Sequence, residues 1–327
     1  MAEGQVQKRF NKSLFAPGDT IVVAVSGGAD SMVLLELVAA LRGERELTVH
    51  AAHVNYGLRG EDSFKDEQLV RERCKALDVF AHIERTDALR AGSSNLEERA
   101  RDIRYTFLRE TAASIGARVI ATGHNQDDQV ETILLRLLRG SGLTGLIGMQ
   151  AHQADLVRPL LELTRADIRR YAHAHKIPHR IDASNQDLRF VRNRVRRLLL
   201  PLLTKYFNPN LRETLTRSAR LLAEDKSFLD DFTSTLYARL VKERRTTTGI
   251  EPSIDAAELT ELPKALQRRL IRSMSKVADP QARLGHSVAL EQALVALASH
   301  SKGVQFPLGG SLTLSRAKGT VRISFAK

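Results

Sequence analysis

The feature that most constrains this chain is a break in an apolar run. Residues 21–25 read Ile-Val-Val-Ala-Val. The run stops at Ser26-Gly27-Gly28-Ala29-Asp30-Ser31, and from Met32 to Leu41 apolar residues return at helical spacing. A short run that is apolar at every position predicts a strand buried on both faces, as in a parallel sheet. Parallel neighbours require crossover connections, usually helices. The pattern repeats along the first half. Strands are expected at residues 47–54, 79–84 and 118–122. Helices are expected at 62–77, 96–114 and 126–138, with Ala100, Ile103, Phe107 and Leu108 at core spacing in the second of these. Such βαβ units build an α/β, doubly wound, mostly parallel sheet with right-handed crossovers. Ligands of these sheets bind beyond the C-terminal strand ends.

That placement gives the glycine loop a chemical reading. A Ser-Gly-Gly turn feeding a helix presents bare backbone N–H groups at a helix N-terminus, an anion site. Ser26 and Ser31 add hydroxyls. Asp30 would repel phosphate unless a divalent cation lies between them. The same residues would also serve as an ordinary βα turn with an acid against the helix dipole. The Gly-Lys-Ser/Thr of a Walker A loop is absent.

Three further segments carry chemistry. His124, Asp127, Asp128 and Glu131 are spaced i, i+3, i+4 and i+7, one stripe at the start of a helix that follows a strand. Leu134, Leu135 and Leu138 continue the stripe as apolar. A metal or acid–base cluster is the favoured reading. In residues 181–201, Asp182, Ser184 and Asn185 suggest a turn or cap. Arg189, Arg192, Arg194, Arg196 and Arg197 follow, and Arg192 and Arg196 share one helix face suited to phosphate. Finally, a strand ending in His53-Val54-Asn55 opens into a glycine-bounded loop with Arg59, which could line a nucleotide pocket.

The second half is different. Leu211, Leu215, Leu222, Leu229, Phe232 and Leu236 fall at helical spacing. Another helix is expected over 262–277, carrying Lys264, Arg268, Arg269 and Arg272. The tail alternates with period two around Val304–Leu308, Leu312–Leu314 and Val321–Phe325, punctuated by Gly309-Gly310 and Lys318-Gly319. That is a small sheet with glycine turns. We therefore expect a catalytic α/β domain over residues 1–210 and a mostly helical domain over 211–327 ending in a small β-hairpin region. A formal charge of +12 favours polyanionic partners. The absence of Trp and the 5% aromatic content do not advertise a stacking platform. Cys74 is the single cysteine, which excludes multi-cysteine zinc or iron–sulfur sites. No apolar run has transmembrane length and no signal-peptide pattern opens the chain, so a cytoplasmic protein without a membrane partner is expected.

Taken together, these segments resemble the PP-loop ATP pyrophosphatase superfamily, whose signature is Ser-Gly-Gly-x-Asp-Ser, and within it the tRNA(Ile)-lysidine synthetase family. The similarity covers about the first 210 residues. It runs in order through Ser26–Ser31, HVNYGLRG, EERARDIRY, GHNQDDQVET, RGSGLTGLIGM, RPLLELTR and DASNQDLRFVRNRVR. Where the family commonly carries His after His-Val-Asn, this sequence has Tyr56. The resemblance implies an adenine nucleotide α-hydrolase-like fold and a helical tRNA-binding domain. It also implies ATP and Mg²⁺ as cofactors, and L-lysine and a tRNA(Ile) with a CAU anticodon as substrates. In the implied reaction ATP adenylates the C2 oxygen of cytidine 34 with loss of pyrophosphate. The lysine ε-amine then displaces AMP. On this reading Ser26, Gly27, Gly28, Asp30 and Ser31, with His53, Gly123, Arg101 and Arg104, bind the nucleotide. Asp30, Asp127, Asp128 and Glu131 hold the metal, while Asp30, His124, Asp128 and Arg192 act in catalysis. An amine must lose a proton before attacking, and either Asp128 or His124 could take it. Arg192 and Arg196 would reach ATP phosphate or RNA.

Other readings remain in view. A 2-thiocytidine-type PP-loop enzyme would need cysteines beyond Cys74. A small-molecule PP-loop ligase of the GMP or NAD synthetase type has no use for the basic second domain. A non-catalytic RNA-binding protein would not carry acids beside its phosphates. The apolar helical faces leave a homodimer open.

Overall fold

The computed structural model describes residues 2–89, 96–181, 187–247, 249–281, 287–298, 303–309 and 311–325. Asp182, Ser184, Asn185 and Gly310 lie outside the described residues. The chain divides into two compact units, Met1–Leu222 and Ala223–Lys327, so the division falls within the helix Leu211–Leu240.

The first unit is built on a six-stranded sheet. Its strands are β1 (Thr20–Ala24), β2 (Thr48–Asn55), β3 (Phe80–Arg85), β4 (Val119–Ala121), β5 (His152–Gln153) and β6 (Leu156–Val157). The order is β3-β2-β1-β4-β6-β5. All neighbours are parallel except β5 and β6. β1 is central: Val23 pairs with Ala51 of β2 on one side and with Ala121 of β4 on the other. Strand order reverses at β1, so the crevice beyond its C-terminal end is the switch point where α/β sheets take ligands.

The apolar run that defines β1 is explained by its two covered faces. Ile21, Val23 and Val25 enter one core with Met32, Leu34, Leu35 and Val38 of the helix Ala29–Ala40 and Val70 and Cys74 of Glu61–Ala76. Val22 points the other way, into a core with Ala52, Ile120, Tyr105 and Leu108 of the helix Leu96–Ser114. Burying each such side chain is worth about 1.5–3 kcal/mol. Truncating fully buried Leu34 to alanine would cost about 2–5 kcal/mol. The expected core spacing of Leu96–Ser114 is met by Leu108, whereas Ala100, Ile103 and Phe107 are only partly buried and Tyr105 and Ala112 complete the face. On the helix Gln126–Leu138, Leu134 is buried but Leu138 is 66% exposed, so the apolar stripe ends earlier than expected.

The second unit pairs helices with a five-stranded antiparallel sheet ordered β7-β8-β11-β10-β9. Its strands are β7 (Lys242–Thr246), β8 (Gly249–Asp255), β9 (Val304–Gly309), β10 (Leu312–Ala317) and β11 (Thr320–Phe325). The three tail strands match the period-two pattern. Lys318 and Gly319 both have positive φ, 47° and 77°, as a tight primed hairpin turn requires. The helix Lys264–Ala278 buries Leu270, Ile271, Met274 and Ala278 against Leu312, Leu314, Val321 and Ile323 of the sheet. Of its basic residues, Lys264 and Arg272 are exposed, while Arg268 pairs with Glu291 and Arg269 with Asp230.

Candidate active site

The Ser26–Ser31 loop leaves β1 and enters the helix Ala29–Ala40 at the switch point. Gly28 is the N-cap and supplies no side-chain cap, so the first turn keeps its N–H groups open for an anion. Gly27 has φ of 86°, a left-handed conformation that a side chain would strain. The loop is stapled from inside. The Ser26 N–H donates to Ser31 Oγ at 3.0 Å, and Ser31 Oγ donates to the Gly28 carbonyl at 3.0 Å. Ser31 is thus buried and structural, while Ser26 is exposed at the mouth.

Asp30 sits in the first turn. Burial, and then the like charge of Asp128, push its carboxyl up to about 6. Its Oδ1 is a buried acceptor short of a well-formed hydrogen bond, with the Asn125 side-chain amide close enough to the carboxyl to favour its ionised form. A buried, incompletely satisfied carboxylate oxygen that feels the charge of a second acid suits a hard divalent cation, so Asp30 with Asp128 fits one.

β4 ends at Thr122-Gly123-His124 beside this loop. A Cβ on Gly123 would lie 3.1 Å from the Asp30 carbonyl carbon and 3.1 Å from the Ser31 nitrogen. A side chain there would force the backbone to shift by a few tenths of an ångström, so glycine lets the end of β4 lie tightly against the helix start. His124 precedes the helix instead of lying on it, because Asn125 is the N-cap in a reciprocal capping box with Asp128. Thr122 Oγ1 lies 2.9 Å from His124 Nδ1 and donates to the Val157 carbonyl. The hydroxyl thus engages Nδ1, and in the tautomer whose Nδ1–H donates to Thr122 the lone pair is on Nε2. Burial, followed by Arg158, Arg192, Arg104 and Arg101, pushes the ring down to about 3, so it is neutral at physiological pH.

The acids of Gln126–Leu138 are brought together, but as partners of arginines. Asp127 accepts from the Arg165 N–H and from Arg212 Nε, both at 2.8 Å. Burial opposes its ionisation, yet these donors outweigh it and hold the carboxyl below its ordinary range. Asp128 accepts from the Asn125 N–H at 3.0 Å, Arg165 at 3.0 Å and Arg192 at 3.1 Å. Glu131 is fully buried and accepts from Arg192 Nε at 2.8 Å, Arg196 Nε at 2.6 Å and Arg165 at 3.4 Å. Among the described residues no three His, Cys, Asp or Glu form a metal-binding group. The four-acid metal set read from spacing is therefore divided: Asp127, Asp128 and Glu131 are all engaged by guanidiniums, Asp128 also bears on Asp30 through its charge, and Asp30 alone makes no ion pair among the described residues.

Arg192 and Arg196 do share a face, as their spacing predicts, and that face meets Glu131. They stand on a continuous helical stretch, Val191–Arg194, a π-helical turn Val195–Leu199 and Leu200–Tyr206. Arg101 and Arg104 lie over the Tyr105 ring, 5.0 and 5.4 Å from its centroid. His53 is buried on β2, with Nδ1 2.9 Å from the Val25 carbonyl and Nε2 unpartnered among the described residues. Tyr56 donates to the Ala100 carbonyl at 2.9 Å.

Sequence reasoning passed over several residues. Arg165 occupies the first position of the helix Arg165–Ala174, where the macrodipole disfavours a cation; that misplacement is the signal that it has other work. Arg158 is 3% exposed and is held by the Gln150 carbonyl at 2.6 Å with no carboxylate partner among the described residues. A buried guanidinium without an acid is costly unless an anion arrives. Asp66, Arg180 and Arg212 join the site only through contacts distant in sequence.

These features define an ATP-binding PP-loop protein: residues 2–203 match the PP-loop domain family model, and the chain belongs to that family. Curated relatives narrow the likeness. The chain is 39% identical to the tRNA(Ile)-lysidine synthase of Symbiobacterium thermophilum over 268 residues, 79% of this chain and 55% of that one. It is 40% identical to the enzyme of the same name from Geobacter sulfurreducens over 81% of this chain and 56% of that one. With the Clostridium perfringens protein of that name it shares 31% identity over 95% of this chain and 66% of that one. The chain thus spans little more than half the length of the first two. Among solved structures, the U34-tRNA thiolase NcsA from Methanococcus maripaludis superposes with a TM-score of 0.55 at 18% identity, covering 68% of this chain and 78% of that one, which supports the fold.

Proposed function

We propose that the chain ligates lysine to C2 of cytidine 34 in a tRNA(Ile) with a CAU anticodon, using ATP and releasing pyrophosphate and AMP. One observation carries the reading. The open helix start at Gly28 and the arginine-ringed His124 stand at neighbouring strand ends, held together by the Gly123–Asp30 approach. Phosphates of one substrate and the reacting group of another then meet in a single crevice. The relatives' names supply the substrate class, and the charge of +12 suits a polynucleotide.

The chemistry divides into two steps. The cytidine C2 oxygen attacks the α-phosphate of ATP, and the bond to pyrophosphate breaks. Backbone N–H groups of residues 29–31 stabilise the charge that builds on the departing phosphates. A divalent cation held by Asp30 and Asp128 would supply further neutralisation there. The amine then attacks C2 and AMP leaves. Of the two candidate proton acceptors, His124 is the better placed. Asp128 already accepts from Asn125, Arg165 and Arg192, whereas His124 Nε2 offers a lone pair when Nδ1 donates to Thr122. Bound phosphate charge would raise the basicity of that ring. Arg158, with Arg101 and Arg104, offers charge for an RNA or α-phosphate group.

The test is incorporation of labelled lysine into tRNA(Ile) transcripts with Mg-ATP. Lysine attachment that requires the CAU anticodon supports the reading. Attachment without tRNA, or none with the correct tRNA, overturns it. A thiolation activity is disfavoured by the lone buried Cys74, whose thiol burial pushes up to about 11.

A further inference from the structure

Two imidazoles meet at the edge of the first sheet, upstream of the strand ends. β2 and β3 are parallel, with His50 opposite Phe80 and Ala52 opposite His82. Strand alternation puts His50, Phe80 and His82 on one face, and Val49, Ala51 and His53 on the other. The first face carries Ala52 into the core beneath the helix Leu96–Ser114. Towards the edge it opens, and Phe80 is 64% exposed. There His50 Nδ1 lies 3.1 Å from His82 Nε2. The Phe80 ring stands against both, its centroid 4.8 Å from that of His82 and 6.0 Å from that of His50. A cleft of about 510 Å³ reaches the group, lined by Thr48, His50 and Phe80 together with Arg42, Lys75 and Asp78. His50 is about 16 Å short of Asn55, where β2 ends, so the pair is remote from the crevice beyond the strands.

Two ring nitrogens this close need something between them, either one shared proton or one cation. The separation also suits a metal. With metal–nitrogen bonds of about 2.0–2.1 Å, nitrogens 3.1 Å apart subtend about 100° at the ion, between the square-planar and tetrahedral angles. We propose that His50 and His82 form a two-imidazole site for a first-row divalent transition metal such as Zn²⁺, with water completing the coordination. Among the described residues no third His, Cys, Asp or Glu completes the set. Imidazole suits these borderline ions, whereas Mg²⁺ takes oxygen. On binding, the ring that donated in the free pair moves its proton to its other nitrogen, and both rings stay neutral. Burial holds both below the ordinary histidine range, and His50 lowers His82 further, so protons compete little at neutral pH. Arg42 and Lys75 outnumber Asp78 around the cleft, so charge alone draws no cation in. The attraction is coordination by the two rings, and losing either one removes half of it.

The full chain is dialysed to equilibrium against Zn²⁺ in a non-chelating buffer with Mg²⁺ in excess. The expected result is a bound Zn²⁺ that Mg²⁺ does not displace. His50→Gln and His82→Gln should each weaken it at least tenfold, while His152→Gln, at an exposed position of β5, changes it less than twofold. Circular dichroism checks that each variant keeps the fold. A second measurement needs no variant: in ring NMR of the unaltered chain, substoichiometric Zn²⁺ should shift the His50 and His82 nitrogens before those of any other histidine. Absence of binding, displacement by Mg²⁺, dependence on only one of the two rings, or shifts elsewhere with these two rings silent overturns the proposal. Neither measurement uses ATP, lysine or tRNA, so its outcome is independent of the lysine-ligation assay.

Discussion

Glu131→Gln isolates the electrostatic hub of the site. The substitution keeps side-chain volume and removes one charge that three guanidiniums share. Glu131 is 0% exposed, and the Arg165, Arg192 and Arg196 side chains are 18%, 31% and 23% exposed. At about 3 Å and an effective dielectric of 20, one such pair is worth about 5 kcal/mol before desolvation is counted. Breaking a buried pair by removing one partner costs about 3–5 kcal/mol. Asp128 still accepts from Arg165 and Arg192, so the lower end, about 3 kcal/mol, is expected. Urea unfolding followed by tyrosine fluorescence reads it, because Tyr56, Tyr105, Tyr171 and Tyr206 lie within Met1–Leu222 and only Tyr237 outside. With a slope of about 2–3 kcal/mol per molar, the midpoint falls by about 1 M. The fall should persist in 0.5 M salt, since a buried pair is poorly screened. Combining Glu131→Gln with Arg196→Gln should recover more than about 1 kcal/mol in a double-mutant cycle. A midpoint within about 0.2 M of wild type would refute the view of Glu131 as the hub.

Three further outcomes are expected. His124 in the free chain stays neutral from pH 8 to about 4 by ring NMR, and Mg-ATP moves its titration upward. Because folding lowers this pKa, the unfolded chain binds the proton first: the ring costs no stability above about pH 6.5 and costs increasingly more as pH falls towards 3. A ring titrating near 6.5 in the free protein would contradict this. Gly123→Ala places a methyl against the Asp30–Ser31 backbone, costing about 1–3 kcal/mol and weakening ATP binding in titration calorimetry, whereas unaltered affinity would show that the approach is not limiting. Asp30→Ala abolishes ATP-dependent pyrophosphate release and leaves tRNA retention on filters nearly unchanged; collapse of tRNA binding would remove Asp30 from the nucleotide site.

Where residues interact with near neighbours, the sequence was transparent. β1, β2, β4 and the helix Leu96–Ser114 follow directly from apolar periodicity, because their faces are covered by large cores; edge strand β3 is read from Ala81 and Ile83, and Gln126–Leu138 from Val130 and Leu134 in a smaller cluster. β7 was illegible for the opposite reason. Lys242–Thr246 reads Lys-Glu-Arg-Arg-Thr, and an exposed edge strand needs no apolar alternation. β5 and β6 are two residues each, too short to carry a period. At the site, the residue types at 124–131 were evident, but their partners were not. Spacing places Asp127 and Glu131 on a helix; it cannot say that Arg212 and Arg196 arrive from 85 and 65 residues away to occupy them. The metal reading assumed free carboxylates, and that is what distant ion pairs alter.

The π-helical turn at Val195–Leu199 gives the helix one residue to spare. Arg192 before the turn and Arg196 within it answer to Glu131; downstream, Leu200 and Leu203 answer to Val130 and Leu134 on the same partner helix. A regular helix would rotate one set by about 100° relative to the other, satisfying the charges or the packing. The turn acts as a vernier between two scales. Deleting a single residue there would leave every side chain chemically intact and put the two out of phase.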